Sequence, residues 1–309
     1  MQKKHVLIAG ATGLIGNALV EFYLAHGACV SILTRKIKVN ESKYRQVMWN
    51  LDKGFIETFD TKPDIIINLT GANIGEKRWT KKRKKELINS RVKSTELIYQ
   101  WLCQKSWKIE TYVTASGLGF FGDCGKISRV ESDPPGTDFL SEICVAWELA
   151  AKKLHGTVAK SVSTLRFGIV LSPDGALISR MTPLSFLCVY PYFGTGSQMM
   201  PWIHIDDVVK IVDLSTTPND EIKIYNVCSG VATTQKEFVE TIAKVKCKSF
   251  LSFPIPEFVV KILLGEMSVL MLSGQNAVPR QLQNDKYTYS YNNLKDAIEH
   301  CLVPSRSTI

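Results

Sequence analysis

The chain has 309 residues, 45% hydrophobic and 22% charged, a balance that suits a folded protein with a large core and one or two domains. No apolar run approaches the roughly 20 residues that a membrane span needs, which excludes a transmembrane helix and leaves no membrane partner expected. The net charge of +9 is concentrated: "KRWTKKRKK" at 77–85 holds seven basic and no acidic residues, and without it the balance is +2 (9 less 7), so no nucleic-acid partner is expected either.

The opening "MQKKHVLIAGATG" sets two lysines before an apolar run, but glycines interrupt the run and a folded motif begins inside it. Export is therefore not expected. "HVLIAG" (5–10) predicts a buried strand ended by glycine, and "GLIGNALVEFYLAHG" (13–27) a helix with apolar residues at helical spacing. Strands follow at 29–35 ("CVSILTR"), 46–50 ("QVMWN") and 64–71 ("DIIINLTG"). A long helix is expected at about 79–104, a strand at 111–117 ("TYVTASG"), a helix at 139–154 and a strand at 163–171 ("STLRFGIVL"). Continuous rather than alternating apolar strands imply burial on both faces. Their alternation with helices implies an α/β, Rossmann-type doubly wound parallel sheet.

After Pro173 the rhythm changes. "PYFGTGSQMMPWIHIDD" (191–207) is rich in glycine and aromatics, 206–214 reads as a helix, and "KIYNVCSG" (223–230) as a strand returning to the sheet. The last 80 residues read as mainly helical, with proline breaks at Pro254, Pro256 and Pro279. The expected division is a nucleotide domain of 1–172 plus 206–230 and a smaller, mainly helical lobe of 173–205 plus 231–309. Eight cysteines (Cys29, Cys103, Cys124, Cys144, Cys188, Cys228, Cys247 and Cys301) show no metal or redox spacing. They read as reduced thiols in a cytoplasmic protein.

"GATGLIG" sets Gly10, Gly13 and Gly16 directly after a strand and at the opening of a helix, the context that gives such a motif its meaning. Gly10 serves a tight turn, Gly13 close approach of backbone to a pyrophosphate, and Gly16 close helix packing. Gly10, Thr12, Gly13, Leu14, Ile15 and Gly16 are the expected phosphate cradle, with the helix N-terminus facing the anion. At the end of the second strand an NAD site usually holds a carboxylate for the ribose 2′-hydroxyl. Here "LTRK" supplies Thr34, Arg35 and Lys36. No carboxylate repels a 2′-phosphate and Arg35 can grip one, so the expected cofactor is NADP(H). The plain alternative is a solvent-facing arginine.

With "GATGLIG", "NLTG", "TASGLGFFG" and "PWIHIDD" in order, the chain resembles the extended short-chain dehydrogenases/reductases. More narrowly it resembles their epimerase-like family, whose members carry an N-L-A-G, R-W, S-R, W-E and W-I-H-I-D-D series. Members are often labelled nucleoside-diphosphate-sugar epimerases or cell-division inhibitors. "RWTKKRKKELINSR", "DFLSEICVAWELAA", "LRFGIVL" and "LLGEMSVLML" extend the likeness over nearly the whole chain. The resemblance implies that Thr34 and Arg35 contact the 2′-phosphate. It implies that Leu69, Thr70 and Gly71 run beside the adenosine and ribose, and that Glu86 and Arg91 face the cofactor from the long helix. It sets Val170 near the nicotinamide. Glu86 and Arg91 could instead pair, although a spacing of five is poor for that.

The same resemblance exposes a gap. In such enzymes a Ser, a Tyr and a Lys four residues after the Tyr form the proton relay. Here Gly117 falls at the Ser place, with Ser116 one residue before it, Trp147 at the Tyr place and Ala151 at the Lys place. Lys152 is turned about 100° away. Ser116 and Thr114 offer hydroxyls, and Ser116 is retained as a cofactor contact. His204 reads as a hydrogen-bonded structural residue, with Asp207 near a helix start. No metal-ligand spacing is visible, and no side chain stands out as catalytic. Two readings remain. One is an NADP-dependent oxidoreductase or epimerase acting on a small or nucleotide-linked carbonyl or hydroxyl compound in the cleft between the lobes. The other is an NADP(H)-binding regulatory or sensing protein without turnover. The complete cofactor site favours the first. A homo-oligomer is compatible with either.

Overall fold

The computed structural model describes residues 3–38, 43–175, 178, 182 and 184–302. Eight strands form the main sheet: β1 (His5–Ala9), β2 (Cys29–Thr34), β3 (Arg45–Asn50), β4 (Phe55–Ile56), β5 (Ile65–Asn68), β6 (Ile109–Gly117), β8 (Ala159–Phe167) and β12 (Ile222–Val227). Their spatial order is β12-β8-β6-β5-β1-β2-β3-β4, parallel except for the β3–β4 pair. The helices α1 (Leu14–Ala25) and α4 (Ile205–Ser215) cover one face, and α2 (Lys81–Gln104) and α3 (Phe139–Lys152) the other.

The continuous apolar strands serve both faces. Val6, Ile8, Ile65 and Ile67 pack with Leu19, Val20, Val208 and Ile211, while Leu7 and Ile66 pack with Ile98, Trp101, Leu102 and Ala151. Each fully buried branched side chain contributes roughly 1.5–3 kcal/mol. Capping fixes where the helices begin: Thr80 accepts from Arg83 N–H at 3.2 Å ahead of α2, and Asp138 from Ser141 N–H at 2.9 Å ahead of α3.

Beyond the sheet lie β7 (Ser128–Arg129), β9 (Ile169–Leu171), β10 (Val189–Phe193), β11 (Trp202–His204), α5 (Gln235–Lys246), β13 (Leu251–Ile255), α6 (Glu257–Leu264), α7 (Val269–Leu272), β14 (Asn276–Ala277), α8 (Arg280–Asn284) and α9 (Leu294–Leu302). Leu171, Tyr190, Trp202, Phe238, Ile242 and Ile298 gather there in a separate apolar cluster.

Three expectations need correction. The strand expected at 163–171 is two: β8 ends at Phe167 and β9 leaves to pair with β11. Gly168 makes that exchange, because a Cβ there would lie 2.5 Å from Pro201 O. The last 80 residues are mainly helical, as expected, but they contain an unexpected strand, β13, paired in parallel with β10. Pro254 thus lies within a strand rather than at a break, because an edge strand tolerates a proline. Finally, Cys188 and Cys247 are not free thiols but a disulfide, with Cα atoms 6.1 Å apart across 59 residues of sequence. Only the fold brings this pair together, so spacing could not reveal it.

Candidate nucleotide site

β1 delivers the chain to Gly10, which sits at φ +84°, a left-handed conformation that favours glycine. A Cβ there would lie 2.9 Å from the Leu69 carbonyl carbon, and one on Gly16 would lie 2.3 Å from Gly10 O. These two glycines are therefore required by the fold itself. Gly13 is not: its φ is −82°, and the nearest atom to a Cβ is Gly10 O at 3.4 Å. The space beside Gly13 lies in front of the α1 N-terminus, which has no side-chain cap and no acidic residue in its first turn. An uncapped helix start leaves backbone N–H groups free and its dipole favours negative charge. Thr12 and Gly13 are exposed there, with Leu14 and Ile15 half-buried behind them.

Ala9 pairs with Leu33, so β2 ends beside this turn. The Thr34 hydroxyl donates to Lys36 O at 2.8 Å and accepts Lys36 N–H at 3.2 Å, which closes a tight turn. Arg35 projects from that turn, exposed and without an ion pair among the described residues.

On the other side, β5 ends at Asn68, which is fully buried. Its Nδ2 lies 2.9 Å from Tyr112 Oη and 3.2 Å from Ser94 Oγ, and its Oδ1 accepts Thr70 N–H at 3.1 Å. This clamp shapes the Leu69–Thr70–Gly71 turn. The Thr70 hydroxyl is buried there with no partner among the described residues. Arg91 lies against Gly71, where a Cβ would come within 2.9 Å of its Cζ. The guanidinium donates to Leu87 O at 2.9 Å and Ala72 O at 3.2 Å, and lies 5.0 Å from the centre of the Trp147 ring. Burial, with the nearby Arg83, lowers its pKa, yet a guanidinium remains charged. Glu86 is apart from this group: it is exposed and pairs with Arg83 at 2.8 Å, not with Arg91.

Where the proton relay would sit, β6 and α3 hold something else. Gly117 faces Cys144, whose thiol donates to Gly117 O at 3.5 Å. Burial, with Glu148 nearby, pushes the Cys144 pKa up to about 11, so this sulfur keeps its proton at neutral pH. Trp147 is buried, with its indole N–H unpartnered among the described residues, and Ala151 is wholly enclosed, whereas Lys152 points to solvent. The Ser116 hydroxyl is turned to Glu148, donating to Oε1 at 2.7 Å. Glu148 is in turn held by Arg166, through Nε and Nη2 at 2.9 Å each. Arg166 lies 3.4 Å from the centre of the Phe120 ring and donates to Glu131 O at 3.0 Å. Sequence reasoning missed Arg166 and Glu148. The available signal was a single charge inside the apolar "STLRFGIVL", which demands a buried partner.

Val170, half-buried on β9, lies opposite Ile203 of β11. The next residue of β11 is His204, whose Nδ1 faces Asp206 N–H at 3.2 Å. A backbone N–H can only donate, so Nδ1 accepts, and Nε2 carries the proton given to His300 Nδ1 at 3.0 Å. His204, Asp206 and His300 are donors of metal-ligand type, within 4.8 Å of one another. In this tautomer His204 has no lone pair left for a cation. Asp207 binds Tyr287 Oη at 2.9 Å, Ser290 N–H at 2.7 Å and Tyr291 N–H at 3.1 Å, so "WIHIDD" staples the C-terminal segment to α4. A cavity of about 840 Å³ runs from Thr12 and Gly13 between α1 and α4 to Ser172, Asp174 and Lys210.

The sheet and this turn have counterparts in known proteins. A sequence model of the NAD dependent epimerase/dehydratase family matches residues 6–228, and a domain of unknown function, DUF1731, matches 255–301. Epimerase family protein SSP1921 of Staphylococcus saprophyticus is 32% identical over 301 residues, 96% of this chain and 98% of that protein. Epimerase family protein YfhF of Bacillus subtilis is 30% identical over 307 residues, 99% of this chain and all of that one. Among solved structures, human epimerase family protein SDR39U1 (isoform 2) with NADPH superposes with a TM-score of 0.85 at 26% identity, covering 96% of this chain and 98% of the human one. The nucleoside-diphosphate sugar epimerase from Corynebacterium glutamicum shares the fold, with a TM-score of 0.74 at 24% identity over 97% of this chain and 58% of that one. No helix among the described residues is long and apolar enough to cross a membrane. By these matches, the chain belongs to the NAD dependent epimerase/dehydratase family.

Proposed function

We propose that the chain is an NADP-dependent oxidoreductase or epimerase of the extended short-chain type, acting on a small or nucleotide-linked carbonyl or hydroxyl compound without a Tyr-Lys pair. The observation that carries the cofactor choice is Arg35, an exposed cation without an ion partner among the described residues, beside a β2 end that lacks a carboxylate. The residues fit the group. A Cβ on Gly13 would occupy space that the protein's own packing leaves open, and the buried Thr70 hydroxyl lacks a partner among the described residues. The cradle of Gly10, Thr12, Gly13, Leu14, Ile15 and Gly16 would take the pyrophosphate, and Thr34 and Arg35 the 2′-phosphate. Leu69, Thr70, Gly71 and Arg91 would flank the ribose, and Val170 the nicotinamide. When bound, NADP(H) supplies the hydride. NADPH in the human relative supports this reading. The small lobe, 173–205 plus 231–309, would close the substrate side.

A second reading, an NADP(H)-binding regulator without turnover, is favoured by one specific observation. Every acid–base candidate between β6 and α3 is engaged or inert: Ser116 and Glu148 are bonded to each other and Arg166, and Cys144 holds its proton. Calorimetry with NADPH and NADH on the wild type and Arg35→Ala tests the cofactor choice. NADPH should bind more tightly, by roughly 10-fold or more if Arg35 supplies the 1.5–3 kcal/mol of a charge-assisted bond. Arg35→Ala should weaken NADPH alone. Equal affinities in the wild type would overturn the assignment. NADPH absorbance in the presence of aldehydes, ketones and nucleotide sugars then separates the readings, since steady turnover supports the enzyme and its absence with tight NADPH binding supports the regulator.

A further inference from the structure

The basic stretch 77–85 is far in sequence from α6, yet the fold joins them. Arg78 Nη2 donates to Ile262 O at 3.0 Å and also to Leu263 O, and Lys84 pairs with Glu266 just beyond the helix. The helix itself is oddly placed. Its sequence, "EFVVKILL", is apolar, but Val260 is its one buried residue. Phe258, Ile262 and Leu263 are 64%, 71% and 62% exposed. Phe258 and Ile262 stand one turn apart on the same side of the helix.

Around this ridge the charge is one-sided. Lys77, Lys81, Lys82 and Lys85 are exposed and have no ion pair among the described residues. Several acids of this region are already engaged: Glu76 and Glu86 with Arg83, Glu266 with Lys84, and Glu257 with Lys261. Large apolar side chains thus protrude from a helix tied through Arg78 and Lys84 to a basic stretch whose exposed lysines have no ion pair among the described residues.

We propose that this surface docks on an anionic lipid bilayer, with Phe258, Ile262 and Leu263 entering the boundary beneath the headgroups and the lysines meeting the phosphates. Charge complementarity selects this occupant. A second copy of the chain would bring two sets of exposed lysines together. Nucleic acid would satisfy the lysines but leave the protruding Phe, Ile and Leu without a partner. A lipid leaflet stacks both chemistries, an apolar layer under a layer of phosphate, and lysine stems can lie along the first while reaching the second. Such contact needs no membrane span, so it revises the expectation that membranes are not partners. It does not depend on the cofactor reading.

Flotation of the full-length chain with vesicles tests the proposal. It should bind vesicles rich in phosphatidylglycerol, ignore pure phosphatidylcholine, and lose most of its binding as salt rises. The triple variant Lys81→Glu, Lys82→Glu, Lys85→Glu should weaken partitioning by about 100-fold or more, given the attraction of each basic group near an anionic surface. Acidic residues suit a helix N-terminus, so its fold should survive. The double variant Phe258→Ser, Ile262→Ser should also release the protein, with circular dichroism and melting temperature unchanged. No binding to anionic vesicles, equal binding to both lipids, or indifference to both variants would overturn the proposal. So would sedimentation showing a dimer that Phe258→Ser, Ile262→Ser dissolves, which would make a second copy the occupant.

Discussion

Arg166 and Glu148 meet edge to edge, Nε to Oε1 and Nη2 to Oε2 at 2.9 Å each, with side chains only 2% and 13% exposed. Ser116 donates to the same carboxylate, and Phe120 lies under the guanidinium. Removing one partner strands a buried charge, which costs about 3–5 kcal/mol, whereas replacing both by apolar residues of similar volume is often nearly neutral. Urea denaturation should therefore show Glu148→Ala to be more damaging than the double variant Glu148→Leu, Arg166→Met. Costs that simply add would mean that the two residues are not coupled.

Gly13 and Gly16 are separated by the same experiment on two variants. A Cβ at Gly16 meets backbone at 2.3 Å, so Gly16→Ala should destabilise the fold by several kcal/mol or prevent it from forming. A Cβ at Gly13 meets nothing closer than 3.4 Å, so Gly13→Ala should leave the melting temperature nearly unchanged. It should nevertheless weaken NADPH at least about 10-fold in calorimetry, because a methyl group intrudes where the pyrophosphate must approach the backbone. Undiminished binding by a well-folded Gly13→Ala would remove the phosphate from this turn.

The first half of the fold was legible because its signals are local. A buried strand such as 5–9, a glycine turn and a capped helix each declare themselves within a dozen residues, and β1, α1, β5 and α2 fall within a few residues of expectation. The second half was harder where an element depends on a distant partner. β13 is a strand only because β10 lies beside it, and Cys188 finds Cys247 only once those strands are paired. The site divides the same way. Gly10 and Gly16 could be read from their motif, whereas the partner of Ser116 could not. The hydroxyl is bonded to Glu148 of α3, 32 residues on, a pairing that no local spacing reveals.

His204 gives the fold a pH dependence with a definite sign. Burial lowers its pKa below the ordinary value, and burial lowers that of His5 as well. In the unfolded chain both take up a proton as pH falls through roughly 6.5, while the folded protein keeps them neutral. Their contribution is therefore fully present above about pH 6.5 and is lost as pH falls from there towards the folded pKa values. Protonation of His204 would also require Nδ1 to give up Asp206 N–H. Denaturation midpoints of the wild type should fall between about pH 7.5 and pH 5. His204→Asn retains an acceptor for Asp206 N–H, and should be less stable at neutral pH but flatter over that range. An unchanged slope would assign the effect elsewhere.

Ala151 decides whether the missing relay can be restored. It is wholly enclosed, packed on the face of the sheet that also holds Leu154 and Val162, so Ala151→Lys would force an ammonium into apolar surroundings. Without a buried acid to meet it, such a charge either destabilises the fold or loses its proton. Trp147→Tyr faces a second obstacle, since Gly117 has no hydroxyl to offer and Ser116 is committed to Glu148. The double variant Trp147→Tyr, Ala151→Lys should therefore melt well below the wild type and show no new NADPH oxidation with simple aldehydes or ketones. Gly117→Ser alone has room, with Cys144 Sγ at 3.8 Å from the new Cβ, and should fold normally. A stable double variant that gained fast turnover would show that packing around Ala151 leaves space for the lysine after all, and that the relay was lost by substitution alone.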